Sequence, residues 1–188
     1  GTLTWYADAN LSSPLTTGAS YTPSDAVGTT IYYVTETLDN CESAASSISI
    51  TVNSLPEVQA TADNTAICAG ESVTLSGTGA ATYVWDQGVL DGESFTPEAT
   101  TTYTVTGTSS EGCSSSDQIT ITVMELPEVT ASASATTICA GESVTLSGSG
   151  ALTYVWDQGA ENGVAFTPAQ TTTYTVIGTD SGGCNASA

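Results

Sequence analysis

Apolar side chains recur at every second position in short runs along this chain, and each run is closed by Gly, Asp, Asn or Pro. Val58, Ala60 and Ala62 alternate with polar neighbours; so do Val73 and Leu75, Tyr83 and Trp85, Tyr103 and Val105, and Ile119, Ile121 and Val123. A period of two returns strand side chains to one face, whereas a helix needs about 3.6 residues. The runs are rich in Thr, Val, Ile, Tyr and Trp, and Ala-Gly-Glu, Gly-Thr-Gly, Asp-Gln-Gly, Asp-Gly-Glu and Glu-Gly-Cys punctuate them. Short antiparallel strands joined by tight turns are therefore predicted, and no stretch has helical periodicity. Strands with one apolar and one Ser/Thr face bury the apolar face by packing two sheets together.

The pattern then occurs again. Residues 55–117 and 126–188 align without a gap at a spacing of 71 and are identical at 43 of 63 positions. Self-similarity at a fixed period marks an array of modules, and a unit of 71 residues falls within the size range of small β-sandwich domains. Copies this alike point to length and repetition as what the chain contributes. Residues 40–58 echo residues 112–129. Residues 1–54 thus read as the C-terminal part of an immunoglobulin-like domain whose first strands lie upstream. Residues 55–125 read as a complete repeat, and 126–188 as a repeat lacking its last strand, the counterpart of 118–123. The expected fold is all-β: tandem immunoglobulin-like β-sandwich domains arranged as beads in a rod.

Trp85 and Trp156 lie on the third major strand, where such folds bury a Trp between their sheets. Tyr103 and Tyr174 open the penultimate strand, the place of a tyrosine corner whose hydroxyl bonds to nearby backbone. All four are predicted to be structural core. Cys68 and Cys113 are 45 residues apart, as are Cys139 and Cys184. Each pair consists of a cysteine just before the Gly-Glu-Ser-Val-Thr-Leu strand and one in the turn before the last strand, so two intradomain disulfides are expected. Each would contribute roughly 4 kcal/mol in the chain-entropy model. Cys41 holds the late-turn position in the first domain and is unpaired in this segment, its expected partner lying upstream. Such cysteine usage places the chain outside the cell.

Charge removes many functions. The chain has no Lys, Arg or His against 20 Asp plus Glu, a net charge of −20. Nucleic acid and anionic membranes are bound through basic residues, so neither is an expected partner. No run reaches the roughly 20 apolar residues needed to span a bilayer, so no direct membrane insertion is expected. A Ser-His-Asp or Cys-His nucleophile, a Schiff base, a P-loop and imidazole-bound zinc each need a base or cation this chain lacks. No catalytic or cofactor-binding residue is assigned, and no enzyme is expected. Calcium is the one cofactor candidate: Glu125 and Glu128 flank Leu126 and Pro127, and Asp86 or Asp91 could complete an oxygen shell. The other junction, 53–57, offers only Glu57. A solvated acidic surface that blocks edge pairing explains the charge more simply.

The order Ile-Cys-Ala-Gly-Glu-Ser-Val-Thr-Leu-Ser-Gly, Tyr-Val-Trp-Asp-Gln-Gly, Phe-Thr-Pro, Thr-Thr-Thr-Tyr-Thr-Val and Gly-Cys over residues 55–188 resembles the PKD-like or immunoglobulin-like repeats of giant surface proteins in Bacteroidota. The stretches beginning at Leu3 (Leu-Thr-Trp-Tyr-Ala-Asp-Ala-Asn), Tyr21 (Tyr-Thr-Pro) and Thr30 (Thr-Ile-Tyr-Tyr-Val) resemble another immunoglobulin-like module of proteins exported by type IX secretion. The family it is most similar to is the flavobacterial gliding-motility adhesin. That resemblance implies an extracellular, cell-surface filament for attachment and gliding, with this segment as a non-catalytic stalk. Its implied partners are neighbouring repeats of the same chain, and surface polysaccharide or substratum through regions outside the segment. The alternative is a set of carbohydrate-binding or spacer modules of a secreted multidomain hydrolase.

Overall fold

The computed structural model describes residues 1–188, and its regular structure is strand throughout apart from two three-residue 3-10 turns. The chain divides into two compact units. One comprises Gly1–Glu57, Ala80–Thr82 and Gly107–Ser115; the other comprises Val58–Gly79, Tyr83–Thr106 and Ser116–Ala188.

In the first unit β1 (Thr2–Tyr6), β2 (Pro14–Thr17), β3 (Gly28–Leu38), β4 (Cys41–Glu42) and β5 (Ser46–Val52) form one antiparallel sheet. The long strand β3 is its centre, pairing β1 from Thr2↔Thr37 to Tyr6↔Tyr33 and β5 from Gly28↔Val52 to Val34↔Ser46. Tyr21 lies between Trp5 and the buried Tyr32, with ring centroids 6.1 and 5.2 Å away. Thr35, the one buried polar residue, is satisfied by donating to Glu42 Oε1 at 2.6 Å, and Tyr6 donates to the same oxygen at 3.0 Å. Hydrogen bonds first from Thr35 and then from Tyr6 hold the Glu42 carboxyl below the usual glutamate range.

The first copy of the repeat contains β6 (Gln59–Ala62), β7 (Ala66–Cys68), β8 (Val73–Thr78), β9 (Thr82–Trp85), β10 (Ser94–Phe95), β11 (Thr101–Thr108) and β12 (Ser114–Met124). Two sheets, β10-β8-β6 and β7-β12-β11-β9, enclose Ile67, Val73, Leu75, Trp85, Tyr103, Val105 and Ile121. Every period-two run of the sequence is a strand here, with its apolar face turned to this core. Val73, Leu75, Val105 and Ile121 are 0% exposed. Burying each stabilises the fold by roughly 1.5–3 kcal/mol.

The second copy contains β13 (Thr130–Ala133), β14 (Val144–Ser149), β15 (Thr153–Trp156), β16 (Ala165–Phe166), β17 (Val176–Thr179) and β18 (Asn185–Ser187), in sheets β13-β14-β16 and β15-β17-β18. The register is reproduced residue for residue. Gln59↔Thr78 to Ala62↔Leu75 in one copy becomes Thr130↔Ser149 to Ala133↔Leu146 in the other. Trp156 and Leu146 are each 6% exposed, and Tyr174 is half-buried against them. The Tyr103 and Tyr174 rings stand edge-on to Phe95 and Phe166, each at 5.2 Å and 73°. A hydroxyl bonded back to nearby backbone belongs instead to Tyr154, which accepts from Ala151 N at 2.7 Å and donates to Ala151 O at 2.6 Å.

Gly77 and Gly148 share one reason for being glycine. A Cβ on Gly148 would lie 2.6 Å from Cδ1 of Tyr154, and one on Gly77 would collide with the Tyr83 ring, so each aromatic lies flat on bare backbone of the neighbouring sheet. Replacing Gly148 with Ala should destabilise the fold by about 1–3 kcal/mol through overpacking. Urea unfolding monitored by tryptophan fluorescence measures this, and an unchanged midpoint would contradict the contact.

Candidate functional site at the repeat junction

With no basic side chain available, several of the carboxylates take backbone N–H groups as donors. Asp91 Oδ1 accepts from Gly77 N at 2.7 Å and from the buried Trp85 indole at 2.8 Å. In the second copy an amide oxygen does this, Asn162 Oδ1 accepting from Gly148 N at 2.6 Å and Trp156 Nε1 at 3.0 Å. Asp63 accepts from Thr74 N at 3.0 Å, and Ser134 takes that role toward Thr145 N at the same distance. Backbone donation, led by Thr74 for Asp63 and by Ala60 for Asp117, holds both carboxyls below the usual aspartate range. Asp86 and Asp157, present in both copies, accept from Thr104 N and Thr175 N at 3.1 and 3.0 Å. A neutral acceptor replaces the acid at two of these places, so lone-pair geometry rather than charge is what those turns require.

The acids suggested for calcium are not gathered into one shell. Asp86 and Asp91 bind backbone within the first copy, while Glu125 and Glu128 are exposed. No group of three or more Cys, Asp or Glu side chains is gathered where it could hold a metal ion.

The cysteines do not pair as the spacing suggested. Cys68 is bonded to Cys184, 116 residues away and in the other copy, with Cα atoms 5.6 Å apart. Cys113 and Cys139 are free thiols, as is the exposed Cys41. Strand register explains why a Cys68–Cys113 bond does not form. β7 lies parallel to the end of β12, with Thr122 opposite Ala66, Val123 opposite Ile67 and Met124 opposite Cys68. Cys113 immediately precedes the other end of β12, 11 residues long. At about 3.3 Å per residue the two cysteines are roughly 36 Å apart, whereas a disulfide needs Cα atoms within about 7 Å. In the second copy the expected Cys139–Cys184 pair does not form either, because Cys184 is bonded to Cys68 and Cys139 is left free.

What lies next to Cys68 is Met124 at the end of β12 and, across the disulfide, the 180–184 turn of the following copy. Chain direction brings it there, because β12 ends beside Cys68 and the linker 125–129 leads at once into β13. Ala69 N donates to Met124 O at 2.8 Å, and Glu71 Oε2 accepts from Cys68 N at 2.8 Å, holding the turn that carries the cysteine. On the other side, Asp180 Oδ1 accepts from Gly182 N at 2.8 Å and Cys184 N at 2.9 Å, and Cys184 is 0% exposed. A Cβ on Gly182 would lie 3.0 Å from Met124 Sδ, and one on Gly178 would lie 2.6 Å from Val129 Cγ2. Gly182 thus lets the end of the first copy seat directly on the second, while Gly178 makes room for Val129 within the second copy's own core. The cue available in the sequence was that Leu-Pro-Glu follows the last strand directly, which puts the neighbours of Met124 close to the next copy.

The sheets and the junction define an all-β, Ig-like module used as a repeat, with a disulfide of the kind extracellular domains carry. Residues 1–54 match the Ig_7 family, described as an Ig-like domain, CHU_C associated. No curated protein matches the chain. No helix is long and apolar enough to cross a membrane.

Replacing Asp91 with Asn should leave thermal stability nearly unchanged. Replacing it with Ala should cost about 1–3 kcal/mol by stranding the Trp85 indole N–H. Equal losses for the two variants in calorimetry would show that the charge is what matters. For the cysteines, alkylation of the unreduced, denatured chain should label Cys41, Cys113 and Cys139, and peptide mapping should recover Cys68 linked to Cys184. A Cys68–Cys113 peptide would overturn the junction described here.

Proposed function

We propose that this chain is a non-catalytic, load-bearing segment of an extracellular stalk, in which residues 1–54, 55–125 and 126–188 are consecutive Ig-like modules of a cell-surface adhesin. The observation that carries the reading is the Cys68–Cys184 bond, which ties one repeat to the next across 116 residues. A binding or catalytic module gains nothing from being riveted to its neighbour, whereas a chain under tension gains resistance to being drawn out. The near-identity of the copies, 43 of 63 positions, favours a part whose value lies in number. Uniform negative charge supports it too, since like charge discourages lateral pairing of sheet edges. Export by the type IX route and a part in gliding motility extend this proposal, and they rest on the resemblance of the repeats to flavobacterial surface adhesins.

Single-molecule stretching of the full chain from its two ends tests the role. The crosslink removes the residues between Cys68 and Cys184 from the extensible length. Unfolding without reductant should therefore fall short of full extension by about 40 nm, the contour length of roughly 116 residues at about 3.6 Å each. Added reductant should release that length, and full extension without reductant would refute a tension-bearing bond. In a parallel glycan-array measurement a stalk shows no specific retention, and a specific hit would favour the carbohydrate-binding alternative.

A further inference from the structure

At residues 161–164 the second copy keeps the geometry of the first and changes its chemistry. Asp91 precedes Gly92 in one copy, and Asn162 precedes Gly163 in the other. In the first, Glu93 N donates to Leu90 O at 3.2 Å and Gly92 N to Leu75 O at 2.8 Å; in the second, Val164 N to Glu161 O and Gly163 N to Leu146 O repeat both distances. Gly92 and Gly163 have φ of 75° and 76°, the left-handed region that glycine enters freely. The turn therefore requires glycine, and the residue before it must be an acceptor for the tryptophan indole and a glycine N–H. Asparagine in that place makes an Asn-Gly pair. Of the six asparagines in the chain, Asn162 is the one followed by glycine.

Such a pair carries a reaction of its own. Attack by the Gly163 nitrogen on Asn162 Cγ closes a five-membered ring, and glycine places no side chain in the way: even a Cβ there would meet nothing within 4 Å. The amide of Asn162 has ammonia as a leaving group; the carboxylate of Asp91 has none. In the folded turn both reacting groups are restrained. Gly163 N is held by Leu146 O at 2.8 Å, while Asn162 Oδ1 accepts from Gly148 N at 2.6 Å and from the indole of the buried Trp156 at 3.0 Å. Ring closure needs the nitrogen to give up its partner and the side chain to rotate off two donors. The turn must first lift from β14 and β15.

We propose that Asn162 is a self-modification site gated by folding, intact while the 161–164 turn is closed and deamidated when local unfolding opens it. Gly163 N bonds to Asn162 Cγ and loses its proton to solvent; the bond from Cγ to Nδ2 breaks, and ammonia leaves with a proton. Water then opens the succinimide. Addition at Cγ gives aspartate with the original backbone, whereas addition at the main-chain carbonyl of residue 162 gives isoaspartate, in which the chain runs through Cβ and Cγ. One water enters, one ammonia departs, and nothing is oxidised or reduced. The two products have opposite fates. Aspartate suits the turn, because Asp91 already accepts from Gly77 N and Trp85 Nε1. Isoaspartate lengthens the backbone by one carbon, so Gly163 N cannot reach Leu146 O while an oxygen also meets the Trp156 indole, and a buried donor is stranded. The second copy thus keeps a covalent record of its own opening, and the first copy, with Asp91, does not. The site follows from the turn and is independent of the stalk reading.

The test incubates the full, unreduced chain at neutral pH, folded in one sample and unfolded in urea in the other, and follows the chymotryptic peptide 157–166 by mass. Asn162 should gain one mass unit in urea, and at least about tenfold more slowly when folded. An Asp91→Asn variant supplies the missing Asn-Gly pair to the first copy, and its peptide 86–95 should then deamidate with the same dependence on folding. Asn162→Asp should leave the urea midpoint unchanged. After the aged, unfolded chain is returned to native buffer, isoaspartate, scored by enzymatic methylation of its free α-carboxylate, should concentrate in the fraction that does not regain native tryptophan fluorescence. Three results would overturn the proposal: equal rates in folded and unfolded chains, an Asn162 that stays intact in urea, or isoaspartate spread equally between refolded and unrefolded fractions.

Discussion

The last strand of a repeat runs the whole length of its sheet, and most of what is particular to this molecule depends on that run. β12 supplies Ile119, Ile121 and Val123 to the core, closes the gap between β7 and β11, and carries the chain from Cys113 at one end to Cys68 at the other. Its parallel pairing with β7 makes Met124 the neighbour of Cys68, so the cysteine that a sequence reader assigns to the interior of one module stands at the doorway of the next. A strand of 11 residues is too long for its two ends to share a disulfide and well suited to hand one to a neighbour.

The absence of Lys, Arg and His governs the polar chemistry in a similar way. Acidic proteins usually spread their carboxylates among cations or water. Here Asp63, Asp86 and Asp91 in turns, and Asp117 on β12, accept from the backbone N–H groups of strand residues Thr74, Thr104, Gly77 and Ala60. The second copy shows which feature counts, because Ser134 and Asn162 do the work of Asp63 and Asp91 with no charge at all. The remaining charge is available to keep neighbouring surfaces apart.

Core and junction differ in tolerance for this reason. The core depends on apolar volume at alternate positions, and the two copies fill it with the same residues: Val and Leu on one sheet, Trp, Tyr and Val on the other. The junction depends on close approach, with Gly182 of the second copy set beside Met124 of the first.

The alternation of Val, Ile, Tyr and Trp with Ser and Thr determined the strands, and the 71-residue period determined that the register of β6 on β8 would occur again as β13 on β14. Trp85 and Trp156 were legible as core because nothing else in a small sandwich is large enough to fill its centre. Cysteine pairing was not legible. Sequence spacing records how far apart two residues are along the chain, whereas a disulfide requires that two Cα atoms meet, and the parallel register of β7 on β12 is a tertiary pairing that leaves no local trace. The roles of Asp91 and Asn162 were hidden for the same reason, since each acceptor is matched to a donor 14 residues away on another strand. Local periodicity sets which face of a strand is buried; only the folded sheet decides which ends come together.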